Sequence, residues 1–295
     1  MSHESIPFIG VVTALEAETK AVCRKAKAEA GEPFPRFDCS TAEARVVCLQ
    51  CGPGPERALA AARQLISQGA DMLLCVGAAS GMDREAQSGH LLLTRDVLLL
   101  HDAHPMPIPH ADQGDADRTP DIQPDNALVK TLEAKKLTVH VRPLLTAPPP
   151  LFGQEDRTHW NAETGAAALD TESAGAALAA LESHRPFLAL RALGDSVERP
   201  VSPEVLAACS GGGGWSLFRR IVRHPGLFIK LWRMGREYSN ALDALSKAWN
   251  PVLEHCVHAL LKAAPTGSTP EQPAQSSDSA PDARQESDSS KTPLQ

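Results

Sequence analysis

Carboxylate side chains stand at three points where an apolar run of the sequence gives way to a helical or small-residue segment. Glu18 follows the first run in TALEAET, Glu172 lies in ALDTESAGAALAAL together with Asp170, and Asp195 ends PFLALRALGD. In α/β proteins ligands gather at the carboxyl ends of the strands. The pattern therefore predicts one site in which several carboxylates face a polar ligand.

Two predicted turns rich in small residues occupy the same kind of position as these acids. CGPGPERA (51–58) and VGAASGMD (76–83) each follow an apolar run, and such turns let backbone amides approach an oxygen-rich ligand closely. The alternative is structural: Glu18 as a solvated first-turn acid, Glu172 as an acid favoured by the helix dipole, and Asp195 as a helix cap. Because all these features occur at strand ends, we favour a shared site.

The elements that must position these residues alternate along the chain. Apolar, strand-like runs lie at 6–12, 45–51, 71–76, 90–100, 137–145 and 186–193, and Ala-rich helical segments lie at 56–68 and 171–182. This alternation is typical of an α/β layered fold with a central sheet.

Composition narrows the class of protein. The chain has 295 residues, is 42% apolar and carries a formal charge of −7. That apolar content suffices for a sizeable core, and the acidic balance gives no reason to expect a nucleic-acid partner. The N-terminus, MSHESIPFIGVV, lacks the basic residues with which a signal peptide begins, and its apolar run is too short to span a bilayer. We therefore expect a cytoplasmic protein.

The cysteines and histidines form no pattern typical of a metal site or a disulfide framework. Seven scattered cysteines, mostly in apolar runs, indicate reduced thiols, and Cys48 and Cys51 form a lone C-x-x-C without a second ligand pair. The cluster HDAHPMPIPHAD (101–112) contains three prolines between its histidines, which favours an exposed turn over a metal site. No metal and no organic cofactor are expected.

Two C-terminal regions differ from the rest. Residues 263–295 are rich in Pro, Ser, Gln and acids, so they are predicted to be disordered. Residues 215–238, WSLFRRIVRHPGLFIKLWRMGREY, are basic and aromatic. They predict two short amphipathic helices divided at His224-Pro225-Gly226, which either contact an anionic membrane or pack on the core.

The motif series resembles a known superfamily. IGVVTALEAET, CGPGPERALAAA, LLCVGAASGMD, SGHLLLTRDVLLLHDA, ALDTESAGAA and LALRALGDSVE are similar to the ordered motifs of the purine nucleoside phosphorylase and methylthioadenosine/adenosylhomocysteine nucleosidase superfamily. The resemblance covers about residues 6–205. The segment that begins at Gly214 is similar to the C-terminal extension of the hopanoid-associated phosphorylase branch, which implies adenosylhopane as the substrate.

The resemblance implies a role for each acid. Glu18 falls at the position of the carboxylate that activates the attacking water, Glu172 at that of the glutamate that binds ribose hydroxyls, and Asp195 at that of the aspartate that protonates purine N7. Cleavage of an N-glycosidic bond develops positive charge on the sugar and negative charge on the base, so these roles are mutually consistent. Phe152 is a candidate to stack on the base, with loop packing as the alternative.

The sequence departs from the phosphorylase pattern where phosphate would bind. Cys75 and Ala78 stand where many family phosphorylases carry Arg and Ser beside the Gly of the third motif. Fewer charge-assisted donors favour hydrolysis, although inorganic phosphate stays open as a co-substrate. The residues that would hold the nucleophile or phosphate are Gly52, Gly54, Arg57, Gly77 and Ala78.

The sequence therefore predicts an enzyme with a three-layer, nucleoside-phosphorylase-like fold and a C-terminal helical extension. The expected division is a catalytic domain at 1–214, the extension at 215–262 and a tail at 263–295. The expected reaction is release of adenine from a nucleoside, in this branch adenosylhopane. The alternatives are a soluble purine nucleoside as substrate, or a non-catalytic scaffold that binds nucleosides or membranes. A homo-oligomer is also expected, in the cytoplasm or, if 215–238 contacts the membrane, at its inner face.

Overall fold

The computed structural model describes residues 6–24, 26–29, 33–110, 122–148, 153–200 and 225–263. The described strands are β1 (Phe8–Thr13), β2 (Arg36–Asp38), β3 (Arg45–Gln50), β4 (Met72–Gly81), β5 (Leu91–Thr94), β6 (Val97–His101), β7 (His104–Pro107), β8 (Val139–His140), β9 (Leu144–Thr146), β10 (Ala168–Asp170) and β11 (Phe187–Asp195). The described helices are α1 (Glu16–Val22), α2 (Pro55–Ser67), α3 (Asn126–Ala134), α4 (Gln154–Thr164), α5 (Ser173–Glu182) and α6 (Pro225–Ala263).

The strands form one mixed sheet that branches at β4. One path runs β2-β3-β1-β4-β10-β9-β6-β7, and β11 pairs with β4 and with β5, which also pairs with β8. The strands β3, β1, β4 and β11 are mutually parallel along their shared pairs. Their carboxyl ends therefore meet at one edge, where Gly77 on β4 pairs with Arg191 on β11.

Small residues allow α5 to pack directly on α2. All but three of the ten residues of α5 are buried. A Cβ built on Gly175 would lie 1.9 Å from the carbonyl oxygen of Pro55 at the start of α2. The Ala- and Gly-rich composition after Glu172 thus brings two helices into backbone contact beneath the edge of the sheet.

The C-terminal helix is part of the main core. Ala241, Leu245, Ala248, Val252 and Cys256 are all fully buried, and they belong to the same apolar cluster as the central strands. The compact unit that contains the described elements spans Met1–Ala263. The predicted domain boundary at residue 214 falls in a segment outside the described residues and stays a prediction.

The expectation of two short helices in 215–238 is wrong for its second half. A single helix begins at Pro225 and continues to Ala263. Proline is well tolerated at the start of a helix, because its missing N–H has no partner there in any case. The first half, 215–224, lies outside the described residues.

Several predictions of strands and turns are wrong. The segment VGAASGMD, predicted as a turn, belongs largely to β4, and the run at 137–145 is divided into β8 and β9. The run at 90–100 is divided into β5 and β6, which lie in different parts of the sheet. The segment predicted as an exposed turn after His101 instead forms the hairpin β6–β7. Its turn consists only of Asp102 and Ala103, both with positive φ, which is the backbone that a tight two-residue hairpin requires.

The prediction of reduced thiols is wrong for one pair. Cys23 and Cys39 form a disulfide across a Cα–Cα distance of 5.5 Å, because the end of α1 and the end of β2 pack side by side. The spacing of cysteines alone does not reveal such a pairing. Cys48, Cys51, Cys75 and Cys256 are free and buried.

Candidate active site

Glu18 lies at the edge of the sheet, just after β1. Its side chain is only 3% exposed. One carboxylate oxygen accepts hydrogen bonds from the backbone N–H groups of Ala14 (3.1 Å) and Leu15 (2.9 Å), and the other accepts from that of Ala78 (2.8 Å). Burial raises the pKa of Glu18, against these hydrogen bonds and the charge of Arg191. Glu18 is therefore a buried, positioned carboxylate and not a solvated first-turn acid.

Arg191 is a site residue that the sequence reasoning did not single out. It is fully buried on β11. Its Nη2 lies 2.5 Å from an oxygen of Asp170 and 3.7 Å from one of Glu172, and it also donates to the hydroxyl of Ser173 (2.9 Å). Its Nη1 is buried and has no hydrogen-bond partner within the described part of the chain. The signal was present, since an arginine inside the apolar run LALRAL is exceptional unless it is paired.

Glu18 and Arg191 converge on Gly77. A Cβ at this position would lie 2.5 Å from Nη1 of Arg191 and 2.8 Å from Oε1 of Glu18. Only glycine lets both groups come this close to β4. A donor beside an acceptor suits a water molecule, which can accept a hydrogen bond from the guanidinium and donate one to the carboxylate.

Glu172 and Asp170 have different tasks, although they are two residues apart. Asp170 accepts from the Ser173 backbone N–H (3.1 Å) and from the Thr146 hydroxyl (2.6 Å), so it holds the first residue of α5 against β9. Glu172 is 5% exposed and accepts from the Gly54 backbone N–H (3.2 Å) and from the hydroxyl of Thr171. Burial raises the pKa of Glu172, with Arg191 acting against it.

Asp195 forms a buried ion pair with Arg157 of α4. The two carboxylate oxygens accept from Nη1 (3.1 Å) and Nη2 (2.9 Å) of Arg157, and both side chains are nearly inaccessible to solvent. The segment QEDRTHW contains no pattern that would have predicted this pairing. Donation of a proton from Asp195 to a leaving base requires this pair to open or to share its hydrogen bonds.

A cavity of about 380 Å³ joins Glu172 to Asp195. Strands β4, β10 and β11 form its floor, and α6 contributes Met234, Gly235 and Tyr238 to its wall. A second cavity of about 650 Å³ shares Thr171 and Gly54 with the surroundings of Glu172 and is lined mainly by apolar side chains. The C-terminal helix is thus a wall of the candidate site.

The residues expected to hold phosphate do not present a common set of free donors. The N–H groups of Gly54 and Ala78 already donate to Glu172 and Glu18. Arg57 donates through Nε to the carbonyl oxygen of Cys51 and packs against Gly52, whose φ is +80°. Gly77 serves the approach of Glu18 and Arg191. Burial raises the pKa of the Cys75 thiol to about 12, so Cys75 is a neutral neighbour of Arg191.

Some predictions on the site remain outside the described residues or untested. Phe152 lies in a segment that is not described. No group of three or more His, Cys, Asp or Glu residues that could hold a metal ion occurs in the described ranges. Membrane contact through 215–238 and assembly into a homo-oligomer stay predictions. No helix among the described residues is long and apolar enough to cross a bilayer.

The fold and the carboxylates at the edge of its sheet point to one superfamily of proteins. A family model of the phosphorylase superfamily matches residues 8–209. The chain belongs to this superfamily, and the predictions of the fold and of an enzyme that cleaves N-glycosidic bonds, as a nucleosidase or a nucleoside phosphorylase, are confirmed. No curated protein sequence matches the chain.

Solved structures share the fold at low sequence identity. Futalosine hydrolase of Helicobacter pylori has a TM-score of 0.61 at 12% identity and covers 86% of this chain and 99% of its own. A 5'-methylthioadenosine/S-adenosylhomocysteine nucleosidase of H. pylori has a TM-score of 0.61 at 12% identity, with 85% and 99% covered. The corresponding nucleosidase of Colwellia psychrerythraea, solved with adenine, has a TM-score of 0.54 at 18% identity, with 84% and 96% covered.

Proposed function

We propose that this chain hydrolyses the N-glycosidic bond of an adenine nucleoside, with water as the nucleophile. The observation that carries the proposal is the approach of Glu18 and Arg191 to Gly77, which places an acceptor beside a guanidinium nitrogen that has no partner among the described residues. The similarity to nucleosidases solved with adenine or with adenosine-like inhibitors supports adenine as the leaving base.

The proposed mechanism assigns one task to each acid. Glu18 accepts a proton from the attacking water, and its raised pKa brings it closer to that of an effective base at neutral pH. Glu172 accepts hydrogen bonds from the ribose hydroxyls and stabilises the positive charge that develops on the sugar. Asp195 meets the purine; when its pair with Arg157 opens, its carboxylate takes up a proton from solvent and passes that proton to the leaving base.

The charge of the site and the small number of free hydrogen-bond donors favour water over phosphate as the nucleophile. A phosphate dianion would lie next to the carboxylate of Glu18, and two of the expected backbone donors are already engaged. Strong phosphate sites use several charge-assisted donors. Arg191 is the one buried cation found at this position in the described residues, and carboxylates from Asp170 and Glu172 already surround it.

The test is adenine release from adenosine in phosphate-depleted buffer, with identification of the sugar product. We expect free ribose, and we expect Glu18→Gln to lower turnover by ~10²–10⁴-fold, the usual contribution of acid–base catalysis. Glu16→Gln, an exposed acid two residues away, is the matched control and should retain activity. Strict phosphate dependence with ribose 1-phosphate as the product would overturn the water mechanism. Binding of adenosine without turnover would favour the scaffold alternative.

We further propose that the natural substrate is lipid-linked, as adenosylhopane would be. Trp232 in the basic, aromatic segment is 59% exposed, and the guanidinium of Arg236 lies 5.7 Å from the centre of its ring. Exposed tryptophan next to arginine suits the interface of an anionic membrane. The apolar cavity beside Thr171 is also suited to a hydrophobic substituent on the sugar.

Co-sedimentation with vesicles of phosphatidylglycerol tests this part of the proposal. We expect salt-sensitive binding that Trp232→Ala weakens, whereas Leu261→Ala, an exposed apolar residue at the other end of α6, leaves it unchanged. Adenosine cleavage should not change in either variant. If the wild-type chain does not bind the vesicles, the lipid-linked substrate loses its support and a soluble nucleoside is the substrate.

A further inference from the structure

Helix α6 carries the only tyrosine of the chain, Tyr238. It begins a stripe that continues through Ala241, Leu245, Ala248 and Val252, at spacings of three and four residues that place all five on one helical face. The four later residues are fully buried in the main core. Because they fix the rotation of the helix, Tyr238 must face the sheet, where its ring comes near Gly194 at the end of β11.

The hydroxyl of Tyr238 is in an unusual position. Tyr238 lines the cavity that contains Glu172 and Asp195. Its oxygen is buried and has no hydrogen-bond partner in the described part of the molecule. Buried tyrosine hydroxyls nearly always have a partner. Since this one borders the candidate site, a bound molecule can provide the missing acceptor.

The hydroxyl is a donor under all ordinary conditions. Burial and the charge of Glu18 raise the pKa of Tyr238 above its usual value, so the proton stays on the oxygen. The wall also contains the carboxylate of Glu172, which is an acceptor, and that of Asp195, whose two oxygens accept from Arg157. The complementary ligand therefore presents donors to Glu172 and an acceptor to the tyrosine, as a hydroxylated sugar linked to a purine does.

We propose that Tyr238 is a substrate-binding residue, whose hydroxyl donates a hydrogen bond to an acceptor atom of the bound nucleoside. This inference rests on the proposed function and extends the site to the C-terminal helix. It also gives that helix a task in substrate recognition, separate from any contact that its first turns make with a membrane.

The substitution Tyr238→Phe tests the proposal with two measurements on the full chain. Loss of one neutral hydrogen bond should lower kcat/KM for adenosine roughly threefold to tenfold. The melting temperature of the ligand-free protein should stay the same or rise, because the variant no longer buries an unpaired hydroxyl. Ser239→Ala, which removes an exposed hydroxyl from the next residue, should change neither quantity. An unchanged kcat/KM, or a lower melting temperature, in Tyr238→Phe would overturn the proposal.

A second measurement separates this inference from the proposed function. Because the chain has a single tyrosine, labelling with ¹³C at Cζ, the ring carbon that bears the hydroxyl, gives one NMR signal, which reports Tyr238 alone. We expect it to shift when adenosine binds to the Glu18→Gln chain, whose slow turnover leaves the nucleoside intact, with binding measured independently by calorimetry. Binding without a shift overturns the role of Tyr238 and leaves the proposed function intact. If the wild-type chain does not cleave adenosine and neither chain binds it, the proposed function fails, and the role of Tyr238 fails with it.

Discussion

At the scale of single residues, the candidate site brings together acids that the sequence singled out and cations that it did not. Glu18, Glu172 and Asp195 could be located because each follows a recognisable strand and motif. Arg191 and Arg157 could not be paired with them, because their partners are distant in sequence and no spacing rule connects them. Yet both arginines are buried, and each holds one or more of the carboxylates through ion pairs.

The Arg157–Asp195 pair leads to a prediction for stability. Arg157→Met should reduce the free energy of unfolding by about 3–5 kcal/mol, because it leaves a buried carboxylate without its cation. Arg157→Met combined with Asp195→Asn should recover much of this loss, since no uncompensated charge remains. Urea unfolding of the three proteins provides the measurement. Arg63→Met, which breaks the exposed Arg63–Glu182 pair, is the control and should have little effect. A loss in Arg157→Met as small as in the control would contradict the importance of the buried pair.

At the scale of elements, the strands and the Ala-rich helices could be predicted where the hydrophobic pattern extended over many residues. The core runs at 6–12, 45–51 and 186–193 are strands close to their expected bounds, whereas the strand predicted at 71–76 continues to Gly81. Strand β7 was missed because its HPMP sequence contains two prolines, which are tolerated on the edge of a sheet. The full length of α6 was missed because Pro225 and Gly226 suggested a break, whereas they stand at its first turn.

The close contact between α5 and α2 depends on glycine, which has no side chain, at position 175. Gly175→Ala should destabilise the protein by about 1–3 kcal/mol, the usual cost of overpacking, because the new methyl group would meet the carbonyl of Pro55 at 1.9 Å. Gly235→Ala in α6 is the matched control, since a Cβ there has no atom within 4 Å. It should stabilise the protein by about 0.4–1 kcal/mol by restricting the unfolded chain. Equal effects of the two substitutions on chemical unfolding would show that helix packing does not require a glycine at 175.

At the scale of the whole molecule, the site exists because the sheet is mixed and branched. Parallel pairing brings the ends of β1, β4 and β11 together, which places Glu18, Gly77 and Asp195 at one edge. The last helix of the compact unit then returns across β11 and closes one side of the cavity. The motif order in the sequence predicted the edge. It could not predict the covering helix, because the face that α6 presents to the site depends on long-range packing of its apolar stripe.

Two truncations test this view of the whole molecule. Removal of residues 264–295 should leave the melting temperature and adenine release unchanged, since their composition cannot support a core. Removal of residues 225–295 should prevent stable folding. Large apolar side chains of α6, including Leu245, Trp249, Val252 and Leu253, are buried, and at roughly 1.5–3 kcal/mol each their burial is comparable with the 5–15 kcal/mol that typically separates folded from unfolded protein. Circular dichroism melting of both truncated chains is the measurement. A cooperative transition near the wild-type temperature in the shorter chain would mean that α6 is an appendage, and that the α/β core folds and forms its site without it.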